Sequence, residues 1–195
     1  DRKSFLKAAV SAVVSASILV LAACAPASPA ADPGSLPTVT AGKLTIGTGN
    51  PAYEPWVVGD APEKGEGFEA AVAYAVAQEL GFAAEDVVWV RTSFDEAIAP
   101  GVKNFDFNLQ QYSITDERKK SVDFSSPYYQ TTQTVITVAG SKAASAKSVA
   151  DLKGLVIGAA TGTTSFAAIE SVIKPTSGAK AFNSNDDAKA ALAAG

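Results

Sequence analysis

Phe105–Leu109 reads FDFNL, with Phe105, Phe107 and Leu109 alternating with Asp106 and Asn108, and it runs through Gln110-Gln111-Tyr112-Ser113 into a helix start at Thr115. A period of two is the mark of a strand with one buried face, and Thr is a favoured first cap for a helix. A strand that feeds a helix through a short polar loop points to α/β layering. The rest of the chain repeats the theme. Lys43–Gly47 reads as a short strand, and Asp86–Val90 as a second. Between them Gly67–Leu80 reads as a helix that places Phe68, Val72, Ala75, Val76 and Leu80 on one face and stops at Gly81. Further on, Ser148–Gly154 is a short helix, Leu155–Ala159 a strand, and Thr161-Gly162-Thr163-Thr164-Ser165 leads into an Ala-rich helix.

In open α/β sheets ligands sit beyond the carboxyl ends of the strands, where free helix N–H groups gather. Two loops of this chain have the composition for that role. After the first, Asp116 and Glu117 suit the positive end of a helix capped by Thr115, and Arg118 beside them does not. A guanidinium there, next to the Ser113 hydroxyl, can hold a carboxylate in bidentate fashion; the local alternative is a solvated Arg in a charged helix start with Lys119 and Lys120. In the second loop Gly162 lets the backbone approach a ligand, and the hydroxyls and N–H groups of Thr161, Thr163 and Thr164 can receive an anion. Read alone, these hydroxyls could equally serve as helix caps. The loop is not a phosphate loop, because the spaced second Gly and the Lys are missing.

Composition removes several classes of function. There is no His and one Cys, which excludes a histidine base, a Cys/His zinc site and an intramolecular disulfide. With 16 Lys+Arg against 20 Asp+Glu and no basic run interleaved with aromatics, nucleic acid is not an expected partner.

Arg2, Lys3 and Lys7 form a positive start, and Ala8–Ala23 is a largely apolar run ending in small residues, too short for a comfortable membrane span. Residues 1–23 therefore read as a signal peptide. The run closes in Leu21-Ala22-Ala23-Cys24, which resembles the lipobox of bacterial lipoproteins, where the thiol carries a diacylglycerol. A transmembrane helix with a chance Cys, or an ordinary cleaved signal, would give a similar run. Cleavage before Cys24 removes three basic residues and one acid, leaving 13 Lys+Arg and 19 Asp+Glu, a net charge of −6. Residues 24–41, rich in Pro, Ala and Ser, read as a flexible tether.

Five segments, GKLTIGTGNPAYEPW, GFEAAVAYAVAQELG, FDFNLQQYSITDERKKSVDFSSPYY, SVADLKGLVIGAATGTTS and NSNDDAKAALAAG, stand in the order seen in family 3 solute-binding proteins of ABC transporters, and the resemblance covers about residues 42–195. It implies the type II periplasmic-binding-protein fold, two α/β lobes closing over one amino acid. Lobe one would span 42–138, with Tyr128–Gly140 as the first crossover, and 139–195 would be a partial lobe two. The resemblance further implies that Arg118 and Ser113 hold the ligand α-carboxylate from lobe one and that Thr163 and Thr164 meet it from lobe two. Tyr53, Trp56 and Phe94 would be aromatic walls of the cleft, and Gln110 and Gln111 occupy the loop before Ser113, Gln110 in place of a smaller residue. Glu54 and Glu69 are expected to be solvated.

Three departures from the family pattern stand out. Asn50 lies near a position where binders of cationic side chains often carry Asp; Asp95–Gly101 (DEAIAPG) differs from the helix expected there. The chain also reads as a fragment, stopping at Gly195 before the strand that in the family carries an aspartate for the ligand ammonium group. The resemblance implies a monomeric, lipid-anchored, extracytoplasmic amino-acid receptor that engages ABC permease subunits, uses no cofactor and performs no chemistry. Two alternatives are an enzyme on the same fold, such as a cyclohexadienyl or arogenate dehydratase, and a ligand-sensing domain.

Overall fold

A computed structural model describes residues 36–195; the expected signal peptide, residues 1–23, and Cys24 lie outside them. Its first half is built on β1 (Leu44–Gly49), which is buried along its whole length because it lies between two neighbours. β2 (Val87–Thr92) and β3 (Phe107–Asn108) pair with it in parallel, giving the order β2-β1-β3, with Ile46 opposite Trp89 on one side and Phe107 on the other. Parallel pairing with crossover helices is the arrangement that the alternating sequence patterns predict. The second half carries a smaller sheet in which β4 (Ile157–Ala160) pairs in parallel with β5 (Ala179–Phe182). β5 is a strand that sequence reading did not single out.

Helix α1 (Phe68–Glu79) covers the first sheet, but on a different face from the one expected. Ala70, Ala73 and Ala77 are buried and Val72 and Leu80 partly so, whereas Phe68 and Val76 are 40% and 36% exposed and Ala75 is exposed. Small side chains let the helix lie close on Leu44, Ile46, Phe82 and Leu109, and apolar periodicity ranks Phe and Val above the Ala residues that make this possible. Gly67, at φ +104°, permits that close seat, since a Cβ there would lie 2.5 Å from the Trp56 carbonyl.

Three local expectations are corrected. No α-helix starts at Thr115; the segment makes a single 3₁₀ turn at Arg118–Lys120, with the Thr115 hydroxyl accepting from the Arg118 N–H (3.2 Å). The segment 94–98 remains helical as α2 (Phe94–Ile98), stabilised by a capping box between Ser93 and Glu96. Residues 24–41 are not all free tether: Leu36 packs against the first core, and the Val39 N–H donates to Asp106 (2.7 Å).

The second core gathers Leu152, Ile169 and Ile173 beneath β4. α3 (Thr164–Ala168) continues into a π-turn at Ile169–Ile173, and α4 (Asn185–Ala194) closes the chain. Residues 128–138 run between the two halves as exposed chain without regular secondary structure. No helix of the described residues is long and apolar enough to cross a membrane.

Candidate functional site

The carboxyl ends of β1 and β3 and the turn after β4 meet around a cavity of about 310 Å³. That volume is at the lower end of the range for small-molecule pockets. Nine of the expected residues line it: Tyr53, Phe94, Gln110, Gln111, Ser113, Arg118, Thr161, Thr163 and Thr164. Trp56 does not; its ring packs edge-on against Tyr129 at 4.8 Å and Phe68 at 5.9 Å, on the outside of lobe one. An aromatic next to the first loop can turn either way, and the close seat of α1 takes this one outward.

Arg118 is 9% exposed, so the solvated reading does not hold. The 3₁₀ turn places its guanidinium over the rings of Phe94 (5.3 Å) and Tyr112 (5.4 Å), which stack on each other at 4.3 Å. Nη1 donates to the Ser113 carbonyl (2.7 Å) and Nη2 crosses to the Gly162 carbonyl in the second lobe (3.0 Å). Burial pulls the guanidinium below its ordinary pKa, and Tyr112 opposes that shift; burial also pushes the Tyr112 hydroxyl up. Among the described residues no carboxylate forms an ion pair with Arg118. A buried cation held by neutral carbonyls and two π-faces retains donors that an anion could use.

Under the cavity lies a polar floor. Gln110 is buried and its Oε1 accepts from the Thr92 hydroxyl (3.1 Å), with Asn108 Nδ2 at 3.5 Å. Arg91 bonds the Gly49 carbonyl (2.7 Å) and Asp60, whose carboxylate accepts from the Ala52 N–H (2.8 Å), so the loop after β1 is fixed along the rim. Glu54 is exposed, as expected. Glu69 is not: it is 1% exposed and reaches the cavity wall through Gln111.

On the other lobe, the Thr163 hydroxyl is consumed in capping α3, donating to the Ala160 carbonyl (2.7 Å) and accepting from the Phe166 N–H (3.1 Å). The Thr164 hydroxyl sits 3.3 Å from Ser113 Oγ and accepts from Gln133 Nε2 (3.2 Å). Tyr53 reaches across to Asp186 at the start of α4 (3.2 Å); burial, then Asp186, push its hydroxyl pKa up. Sequence reading missed Gln133, Asn183, Ser184 and Asn185, which also line the cavity. Capping by Ser184 of the helix that begins at Asn185 was the signal available for the last pair.

A cavity walled from two α/β lobes, at the carboxyl ends of parallel strands, defines a binding protein of the type II two-lobed class. Residues 44–193 match the bacterial extracellular solute-binding proteins, family 3, and the chain belongs to that family. It is 33% identical over 165 residues to an L-arginine-binding protein of Pseudomonas aeruginosa, covering 83% of this chain and 61% of that protein's length. Among solved structures, an ancestral amino acid-binding protein that is a precursor of cyclohexadienyl dehydratase aligns with TM-score 0.61 at 34% identity, covering 78% of this chain and 67% of the other. An ancestral arginine-binding protein bound to glutamine aligns with TM-score 0.63 at 32% identity, covering 78% and 65%.

Proposed function

We propose that the protein is the extracytoplasmic substrate-binding component of an ABC importer and binds one amino acid between its lobes. The observation that carries this is Arg118, a buried guanidinium with no carboxylate partner among the described residues, facing a small two-walled cavity. In this reading the ligand α-carboxylate takes the fork of Arg118, with Ser113 on the same wall and Thr161 and Thr164 with the N–H groups after Gly162 on the opposite one. Tyr53 and Phe94 supply apolar walls and Gln110 a polar contact. Ligand binding selects the closed arrangement, which the permease subunits recognise. The division into lobe one (42–138) and lobe two (139–195) is part of the proposal.

The test is a thermal-shift screen of the natural full-length protein against each common amino acid. A ligand at 100 times its Kd should stabilise by about 2.7 kcal/mol. An unmoved Tm across the whole panel would sink the reading. The dehydratase alternative is favoured by one observation, the likeness to a precursor of such an enzyme. It needs a general acid, and Asp95 is the one carboxylate lining the cavity among the described residues. Turnover of a cyclic amino-acid precursor by the same protein would replace the binding reading.

Residues 1–23 are proposed to be a signal peptide and Cys24 the lipid attachment that holds the protein at the membrane. Cys24→Ala should move the protein to the soluble fraction or leave the signal uncleaved. Unchanged membrane partition with a cleaved signal would refute the anchor.

A further inference from the structure

Gln111 lines the cavity with a backbone φ of +53°, a left-handed conformation that a side chain disfavours unless something holds it. The holding group is Glu69. Its Oε1 accepts from the Gln111 backbone N–H (2.9 Å) and its Oε2 from the Gln111 side-chain amide, so both ends of one residue are gripped by one carboxylate. Oε1 also accepts from the Tyr128 hydroxyl (2.6 Å), at the start of the segment between the lobes. No cation pairs with Glu69 among the described residues. Both carboxyl oxygens instead have hydrogen-bond partners, and the residue lies in the first turn of α1.

The consequence reaches the ligand wall through the next two residues. Tyr112 is one of the rings beneath the Arg118 guanidinium, and the Ser113 carbonyl accepts from Arg118 Nη1. A rotation of the backbone at 111 would displace both. We propose that Glu69 is a positioning residue for the ligand cavity: it clamps Gln111 in the left-handed conformation that seats Arg118, and ties that wall to Tyr128 at the mouth of the inter-lobe segment. This rests on the amino-acid-binding reading for its functional meaning, and on the geometry at 111 for its structural one.

The decisive experiment is a coupling measurement on the natural full-length protein, titrated by calorimetry with the common amino acids as probes. Glu69→Gln presents an NH₂ group to donors, and should weaken binding at least about tenfold, the scale of one left-handed residue left unsupported. In a Gln111→Gly background, where the left-handed conformation needs no clamp, the same substitution should cost less than about threefold. Equal losses in both backgrounds would overturn the proposal. If Glu69→Gln does not fold, Gln111→Ala and Gln111→Gly are compared. Both lack the side-chain bond, and only the first keeps the left-handed strain. Ala should bind about tenfold more weakly than Gly, and equal affinities would overturn the proposal. If the unmodified protein takes no amino acid, the functional reading falls by itself, and the intraresidue H–N to Hα nuclear Overhauser effect at residue 111, strong only at positive φ, decides the clamp. A strong effect that survives Glu69→Gln refutes it; one that weakens, as at negative φ, supports it.

Discussion

The turn after β3 and the turn after β4 face one cavity with different chemistry. The first commits a full charge: Arg118 is buried, stacked on Phe94 and Tyr112, and held by the Ser113 carbonyl. The second commits no charged side chain, and its central hydroxyl, on Thr163, is spent on capping α3. What lobe two offers is backbone and shape, with Gly162 at φ +71° so close to lobe one that a Cβ would lie 2.7 Å from Asp95 Oδ1. In the proposed reading one wall provides the electrostatic grip, and the other approaches without adding a like charge or bulk. A guanidinium bonded to a carbonyl of the opposite lobe is a link that a carboxylate can exchange for a stronger one between opposite full charges.

The largest effect should come from removing the charge. Arg118→Ala is expected to cost about 2–5 kcal/mol of ligand binding, since the ligand carboxylate would be buried without its partner. Arg118→Lys should recover only part of that, because an ammonium cannot reproduce the fork. Calorimetry showing wild-type affinity in either variant would erase the distinction between the walls. A smaller effect is expected opposite. Thr163→Ala should lower stability by about 1 kcal/mol through loss of the cap, measured by denaturant unfolding, with Thr163→Ser close to wild type. A fall in affinity much larger than the fall in stability would mean that this hydroxyl reads the ligand after all. The smallest effect concerns acid. Asp60 is held below the usual carboxylate range, first by the Ala52 N–H and then by Arg91. Its contribution is present above the unfolded-state pKa and is lost as pH falls through the depressed folded-state value, below about pH 4. All four ion pairs among the described residues lie at or before Lys120, so in acid the amides of 44–60 should lose exchange protection before those of 157–173. In Asp60→Asn that pH-dependent difference should shrink; identical acid profiles for the two proteins would rule out this role.

Much of the architecture was legible in short-range pattern. The alternation at Phe105–Leu109 and the helix ending before Gly81 both describe local periodicity, and the structure keeps both elements, β3 in shortened form. Nine of ten candidate binding residues reached the cavity because the loops after parallel strands must converge there. The failures share a cause. Glu69 looked solvated because its partners, Gln111 and Tyr128, arrive from 42 and 59 residues away. Trp56 and the Ala face of α1 depend on how near a helix can come to a sheet, a distance that periodicity does not encode. Arg118 reads as the right residue type on the wrong element: a 3₁₀ turn, not an α-helix, lays its side chain over two stacked rings.

Asp106 carries a consequence for how the molecule sits under load. Its carboxylate takes the Thr45 N–H with one oxygen and the Val39 N–H with the other, both at 2.7 Å, and so rivets the incoming chain to the starting edge of the central strand. From there β1 advances six residues, about 20 Å, before it delivers Gly49 to the cavity. Any pull applied upstream of Leu36 is thus received at the rear of the sheet, in shear along β1, and never at the mouth. Under the proposed attachment at Cys24, load would therefore enter at the strand end opposite Gly49 and leave the bonds that shape the cavity outside its path.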